Sequence, residues 1–398
     1  MIGARGTRVA GGVPLRPLRG DPPWIVAGVI GWAGILWIGW TLWQSVPTRA
    51  GFDLALLLDG ARALAAGHSP YDPSMLAGIA PSAADLFYSY PPPVAQAMTL
   101  LAWLPDGVVL LAWGAGATAG LAILAAALGR GAGLGARSTA LRAAAVAPLI
   151  LPFAVAILFG NLDAWFPLAY GALVIAALPG ASARTRLLAG VAVAVVTIAK
   201  LHPAPLLAWV AARVVADRGG SQARVLGAAV VTGLVVVGLS LLAGGVGPWQ
   251  DYVAVVRAGA GAGLVDARNL GPVSLLGQAA HLDPATLRIV AAVIGVAALA
   301  VAAFAGLRVR DALFSVAIAM TASLVTLPVT WYHYPVVLVP IGIALAVRHP
   351  RSRPWLAGAI VIADVAIGLV PLLWVAVAVV VLAAWQATRS APSVAAAA

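Results

Sequence analysis

The chain has 398 residues, of which 62% are hydrophobic and only 9% charged, with a net charge of +11 and a mean hydropathy of +1.00. Soluble domains carry about 25% charged residues, so this apolar surplus excludes a soluble globular protein and indicates a multi-pass membrane protein. No cysteine is present, which excludes disulfides, thiolate metal sites and a cysteine nucleophile.

Every acid is an aspartate and Lys200 is the only lysine. The positive charge is arginine placed in short stretches between apolar runs, the positive-inside pattern rather than a nucleic-acid surface. Residues 1–23, basic and rich in Gly and Pro, read as a disordered cytoplasmic tail. The apolar run 24–46 is too long for a signal-peptide core and reads as the first span. Residues 47–92 form a large outer loop, in which Leu54, Leu57, Leu58 and Ala61 predict a short surface helix, Leu54–Ala66, lying on the bilayer and stopped by Gly67. Asp59 and Arg62 are spaced to pair on its wet face.

Residues 93–129 are broken at Pro105-Asp106-Gly107, giving a short re-entrant or surface helix and then a span. Spans follow at 143–159 and 162–178, then a hairpin of short arms at 187–200 and 203–215, and a span at 225–243. A second outer loop covers 244–284. Runs at 285–307, 312–328, 334–347, 355–370 and 372–387 complete one domain over 24–389, before a flexible tail, 390–398. The fold class is an all-α polytopic membrane protein with about twelve spans, several shorter than the roughly 20 residues of a straight crossing.

Polar residues at span ends gather on the outer face. They are Asp53, Asn161 and Asp163 in "FGNLDAW", Lys200 and His202 in "IAKLHPAP", Arg268 and Asn269 in "DARNLGPVSLLG", and His333 in "TWYHYP". Alone, each has a structural reading. Asp53 marks the interface, Lys200 snorkels, His333 joins an aromatic belt, and Asn161 and Asp163 cap a helix. Together, membrane-edge ionisable groups on one face point to a site. Asp364, in mid-span, shows no basic partner.

The chemistry that fits is sugar transfer from a lipid-linked sugar phosphate to a hydroxyl. Asp53 acts as general base. Lys200, with His202 or His333, and with Arg268, holds the departing phosphate. Asp59, Tyr71, Tyr90, Asn161, Asp163, Asn269, Trp331 and Tyr334 are candidates for the acceptor and donor pocket. No D-x-D pair or dense His/Asp cluster is present, so neither metal nor cofactor is expected. The expected partners are the donor, a lipid-linked glycan acceptor and membrane lipids.

The ordered blocks "FDLALLLDGARALAAGHSPYDP", "FYSYPPPVAQAMTLLAWLP", "GNLDAWFPLAYGAL", "RLLAGVAVAVVTIAKLHPAPLLAWVAAR", "RNLGPVSLLG" and "VTLPVTWYHYPVVLVP" resemble those of glycosyltransferase family 87. The resemblance runs over about residues 24–347. It implies a GT-C-like bundle and a polyprenyl-phosphate-sugar donor, best known as a mannose donor. It also implies an active site facing the periplasm of a bacterial plasma membrane, Asp53 as base, and the Lys200 and His333 blocks facing the donor phosphate. Inversion at the anomeric carbon follows, so a β-linked mannosyl lipid gives an α-mannoside. Leu57 stands where the family often has an aromatic, and "GNLD" where "GQ-x-N" is common, which leaves an arabinofuranosyl donor open. From other classes, a transporter or flippase predicts an internal repeat and midplane polar residues, and a non-catalytic assembly subunit predicts no site.

Overall fold

The computed structural model describes residues 21–45, 50–81, 87–217, 220–326, 329–366, 369 and 371–389. Most of the expected N-terminal tail and all of 390–398 lie outside these. Among the described residues the structure is helical, without strands.

The elements are α1 (Asp21–Gln44), α2 (Phe52–Ala65), α3 (Pro73–Leu76), α4 (Pro92–Met98), α5 (Asp106–Gly131), α6 (Ala136–Val146), α7 (Leu151–Leu158), α8 (Phe166–Ala177) and α9 (Ala183–Ala199). They continue with α10 (Ala204–Ala216), α11 (Ala223–Gly244), α12 (Gly247–Val265), α13 (Pro272–Ala280), α14 (Pro284–Arg308), α15 (Ala312–Val325), α16 (Val339–Arg348), α17 (Arg353–Val365) and α18 (Pro371–Arg389).

Among the described residues, five helices are long and apolar enough to cross a membrane alone: α1, α5, α11, α14 and α18. α6 and α7 together would make a sixth, but they are bent by 78° where the sequence reading has one span over 143–159. Pro148 and Pro152 account for the break, since neither can donate a helical N–H and each ring clashes with the preceding turn. Pro105 separates α4 from α5 as expected, as the residue that caps α5. The two stretches read as outer loops carry α2 and α3, and α12 and α13. These two parts meet, with Ser69 donating to Asp251 at 2.8 Å and Tyr71 packed on Tyr252.

The core lies where the short helices cluster. α8 and α15 are buried nearly all round, as expected of helices surrounded by others. Polar ties cross this core: Tyr170 donates to Ser323 at 3.1 Å, and Trp209 to Ser315 at 2.7 Å. α1, α11 and α14 instead expose apolar rows such as Ile30, Leu234 and Val293, which suit lipid contact.

α2 corrects one expectation. It occupies the expected stretch and Gly67, with φ +80°, follows its end. Its stripe does not lie on the bilayer, however: Leu54, Leu57, Leu58 and Ala61 are all 0–1% exposed and form a second core with Tyr71, Met75, Tyr88 and Val255. Leu57→Ala should therefore lower stability by about 2–5 kcal/mol, read by thermal unfolding in detergent. A residue resting on lipid or detergent would lose only about 0.5 kcal/mol.

Candidate active site

The first turn of α2 is docked on the end of α7. The backbone N–H groups of Gly51, Asp53 and Leu54 donate to the carbonyls of Leu158 and Phe159 at 2.8, 2.9 and 3.1 Å. The chain then turns at Gly160 with φ +66°, where an added Cβ would meet the Leu54 Cβ at 2.5 Å. Only glycine suits both that backbone conformation and that approach. Gly160→Ala should cost about 1–3 kcal/mol and part Asp53 from Asn161. The readouts are thermal unfolding and a loss of transfer that outlasts recovery of folded protein at low temperature.

Asn161 follows, 3% exposed, and links the acids. Its Nδ2 donates to Asp53 Oδ2 at 2.8 Å. Its Oδ1 accepts from the Asp163 N–H at 2.9 Å and from Lys200 Nζ at 3.1 Å. The expected capping role is thus met, but the same amide also fixes the Asp53 carboxylate. Trp113 holds Asn161 from behind, donating to its carbonyl at 3.1 Å.

Asp163 is the hub. Its side chain is 0% exposed, with Lys200 Nζ at 3.0 Å and His333 Nε2 at 3.2 Å from Oδ2, and His202 Nε2 at 3.6 Å from Oδ1. Neither histidine contact closes as a hydrogen bond, so His202 Nδ1 and Nε2 and His333 Nε2 are buried without a hydrogen-bond partner. His202 is held by ring packing instead, stacked on Tyr334 with centroids 5.1 Å apart and leaning on Phe166 at 5.2 Å. The Lys200 ammonium lies 4.8 Å from the Tyr334 ring centroid and 5.7 Å from that of Tyr90. Two of its three protons go to Asn161 and Asp163, which leaves one donor beside these rings.

Asp53, Asn161, Asp163, Lys200, His202, His333, Tyr90 and Tyr334 therefore form one cluster, assembled from separate blocks of sequence. Other candidates stand outside it. Asp59 is exposed and pairs with Arg62 at 3.0 Å, and Arg62 also binds Asp106. Tyr71 is buried and supports the cluster indirectly, donating to the Tyr90 carbonyl at 2.9 Å. Arg268 grips Asp266, with Nη2 2.7 Å from Oδ2, and stands over Trp331 at 5.9 Å. Burial pushes the Asp266 carboxyl up, but the hydrogen bonds from Arg268 outweigh it and hold the group below the usual carboxylate range. Asn269 is a structural tie, its Oδ1 accepting from the N–H groups of Gly271 at 2.8 Å and Thr330 at 2.9 Å. It fastens the segment before α13 to the strand of chain that carries Trp331 and His333.

Sequence reasoning missed Trp113, Phe166 and Asp266. The two-residue spacing of Asp266 and Arg268 was a usable signal. The other two are aromatics indistinguishable in sequence from core packing.

The cluster offers a carboxylate with one oxygen, Asp53 Oδ1, not engaged by Asn161, beside a buried cation and two imidazoles. That is the equipment for taking a proton from a hydroxyl while holding an anion.

The family model for glycosyltransferase family 87 matches residues 88–330, more than half of the chain. Asn161, Asp163, Lys200 and His202 fall within the match, while His333 lies three residues after its end and Asp53 lies 35 residues before its start. No curated protein and no solved structure matches the chain. The match and the helical, span-rich architecture agree: the chain belongs to glycosyltransferase family 87 and is a membrane glycosyltransferase.

Proposed function

We propose that this enzyme moves mannose from a polyprenyl-phosphate donor to a hydroxyl of a lipid-linked or cell-envelope glycan, with inversion, on the outer face of a bacterial plasma membrane. With the bent α6–α7 pair, the short helices α8, α9, α10, α15, α16 and α17 would complete a GT-C-like bundle of about twelve crossings, several of them shorter than the roughly 30 Å of hydrocarbon. The observation that carries the reading is the Asn161 bridge, which sets Asp53 beside the only lysine of the chain.

In the proposed step, Asp53 Oδ1 accepts the proton of the acceptor hydroxyl. The hydroxyl oxygen forms the new bond to the anomeric carbon from the side opposite the phosphate. The bond from that carbon to the phosphate oxygen breaks, and its electron pair leaves with the lipid phosphate. Lys200, through its remaining N–H, and His333 and His202, when protonated, offset the charge that grows there. Asp163 orients these three groups and contacts no substrate. Asp53 ends protonated and returns its proton to water.

Leu57 carries no information about the donor sugar, since it is buried within α2's own core. The Asn161–Asp163 block does face the cluster, so the arabinofuranosyl alternative rests on it. Purified protein in liposomes, given radiolabelled polyprenyl-phosphate mannose and a lipid-glycan acceptor, should label the acceptor. Label from a polyprenyl-phosphate arabinofuranose alone would reassign the sugar. Substrate accumulating inside sealed vesicles without transfer would favour a transporter instead.

A further inference from the structure

At the end of the bundle opposite the catalytic cluster lies a cavity of about 620 Å³. The same helices reach both places. Asp163 precedes α8, Lys200 ends α9, His202 precedes α10 and His333 precedes α16, while the far ends of these four helices line the cavity. Arg186 and Lys200, both on the α9 stretch, are separated by about 20 Å at 1.5 Å per residue. The two sites therefore cannot share one small ligand.

The cavity is strongly basic. Arg186, Arg213, Arg310 and Arg348 converge on it, with His349, from separate elements. Its two carboxylates are already engaged. Asp217 lies 3.9 Å from Arg213, and Asp311 caps α15 by accepting from the Phe314 N–H at 2.8 Å. Arg213 is further used by the carbonyls of Gly306 and Val309. Arg186, Arg310 and Arg348 have no carboxylate within ion-pair distance among the described residues.

The positive-inside bias explains why arginines lie at this face. It does not explain why Arg186, Arg213 and Arg348 are half-buried along one cavity, because arginines serving topology alone would splay into water and avoid one another; Arg310, also on the lining, is exposed. Two buried polar atoms on the lining also lack partners: Arg186 Nε, a donor, and Oε1 of Gln222, an acceptor on a residue only 4% exposed. Gln222 is held in place by its other end, Nε2 donating to the Ala176 carbonyl at 3.4 Å. The wall thus presents several cationic donors and, besides the two engaged carboxylates, the fixed acceptor of Gln222.

We propose that this cavity binds a phosphate ester that also carries a hydroxyl. The phosphate oxygens take Arg186, Arg310 and Arg348, and the hydroxyl donates to Gln222 Oε1. A glycerol-bearing phospholipid headgroup and a free polyol phosphate share this chemistry.

The test uses the full chain purified in neutral detergent. Thermal unfolding is followed during titration with phosphatidylglycerol, with glycerol phosphate, and with phosphatidylcholine as the zwitterionic control. Saturable stabilisation by either of the first two is expected and identifies the source, with the Arg186→Gln, Arg348→Gln double variant weakening the midpoint by about tenfold or more. Arg288→Gln, exposed on α14 and away from the cavity, should leave the midpoint unchanged. A second measurement needs no variant. Phenylglyoxal labelling of the native protein, read by peptide mass, should spare Arg186 and Arg348 when the phosphate ester is present. Equal stabilisation by phosphatidylcholine, or undiminished labelling of both arginines, would overturn the proposal.

Discussion

Asp53→Asn should lower sugar transfer by about a hundredfold to ten-thousandfold, the range of a lost general base, and leave the fold and donor binding unchanged. The substitution is nearly isosteric. Asn161 Nδ2 now donates to Asp53 Oδ2 at 2.8 Å, and an amide oxygen at the same place still accepts it. The N–H of residue 53 keeps its bond to the Phe159 carbonyl at 2.9 Å, so α2 stays docked. What disappears is the ability to take a proton. The donor phosphate sits, in the proposed arrangement, against Lys200 and the histidines, which the change does not touch. Initial rates with radiolabelled donor, a donor-binding isotherm and a thermal melt give the three readouts. Rates within threefold of the unsubstituted enzyme would remove Asp53 from the chemistry. A lower melting temperature together with weaker donor binding would make its role structural.

The helices were legible because the sequence punctuates them clearly. Pro105 ends one apolar run and starts another, and Lys200-Leu201-His202-Pro203 breaks α9 from α10 where a straight span would continue. How many helices cross was not legible. Helices such as α10 and α16, with 13 and 10 residues, span about 20 and 15 Å at 1.5 Å per residue, well short of the hydrocarbon. An apolar run read without its neighbours does not say whether it crosses, bends or is walled in by protein. α2 shows the same limit. Its stripe announces an apolar face, but the groups that cover it, Tyr88 and Val255 among them, are supplied by distant parts of the chain.

The candidate site was legible as a set of polar residues at helix ends, since such residues are costly at a membrane edge unless used. Their mutual arrangement was not. Spacing gives no hint that Asp163, two residues after Asn161, turns inward to meet Lys200 and both histidines, while Asp59, six residues after Asp53, turns outward to Arg62. The sequence reading aimed Lys200 at the donor. The structure has it shared between Asp163 and Asn161, with one proton to spare.

That sharing sets the second large effect. Asp163→Leu strands a lysine whose side chain is 10% exposed, and Lys200→Met strands an aspartate that is 0% exposed. Removing one member of a buried pair costs about 3–5 kcal/mol, so each single variant should lose most of the stability of the end of the bundle that carries the cluster. Apolar replacement of both leaves no uncompensated charge, and the double variant should be destabilised by clearly less than the sum of the singles, with a coupling of about 2 kcal/mol or more. Thermal unfolding of the four proteins in one detergent measures this. Additive losses would mean that the ammonium and the carboxylate do not depend on each other, and the hub would have to be redrawn around the histidines. Activity then separates architecture from chemistry. The double variant regains its fold yet lacks the cation proposed to meet the leaving phosphate, so transfer should stay down by about a hundredfold or more. If Asp163 and Lys200 serve packing alone, activity should return along with the melting temperature.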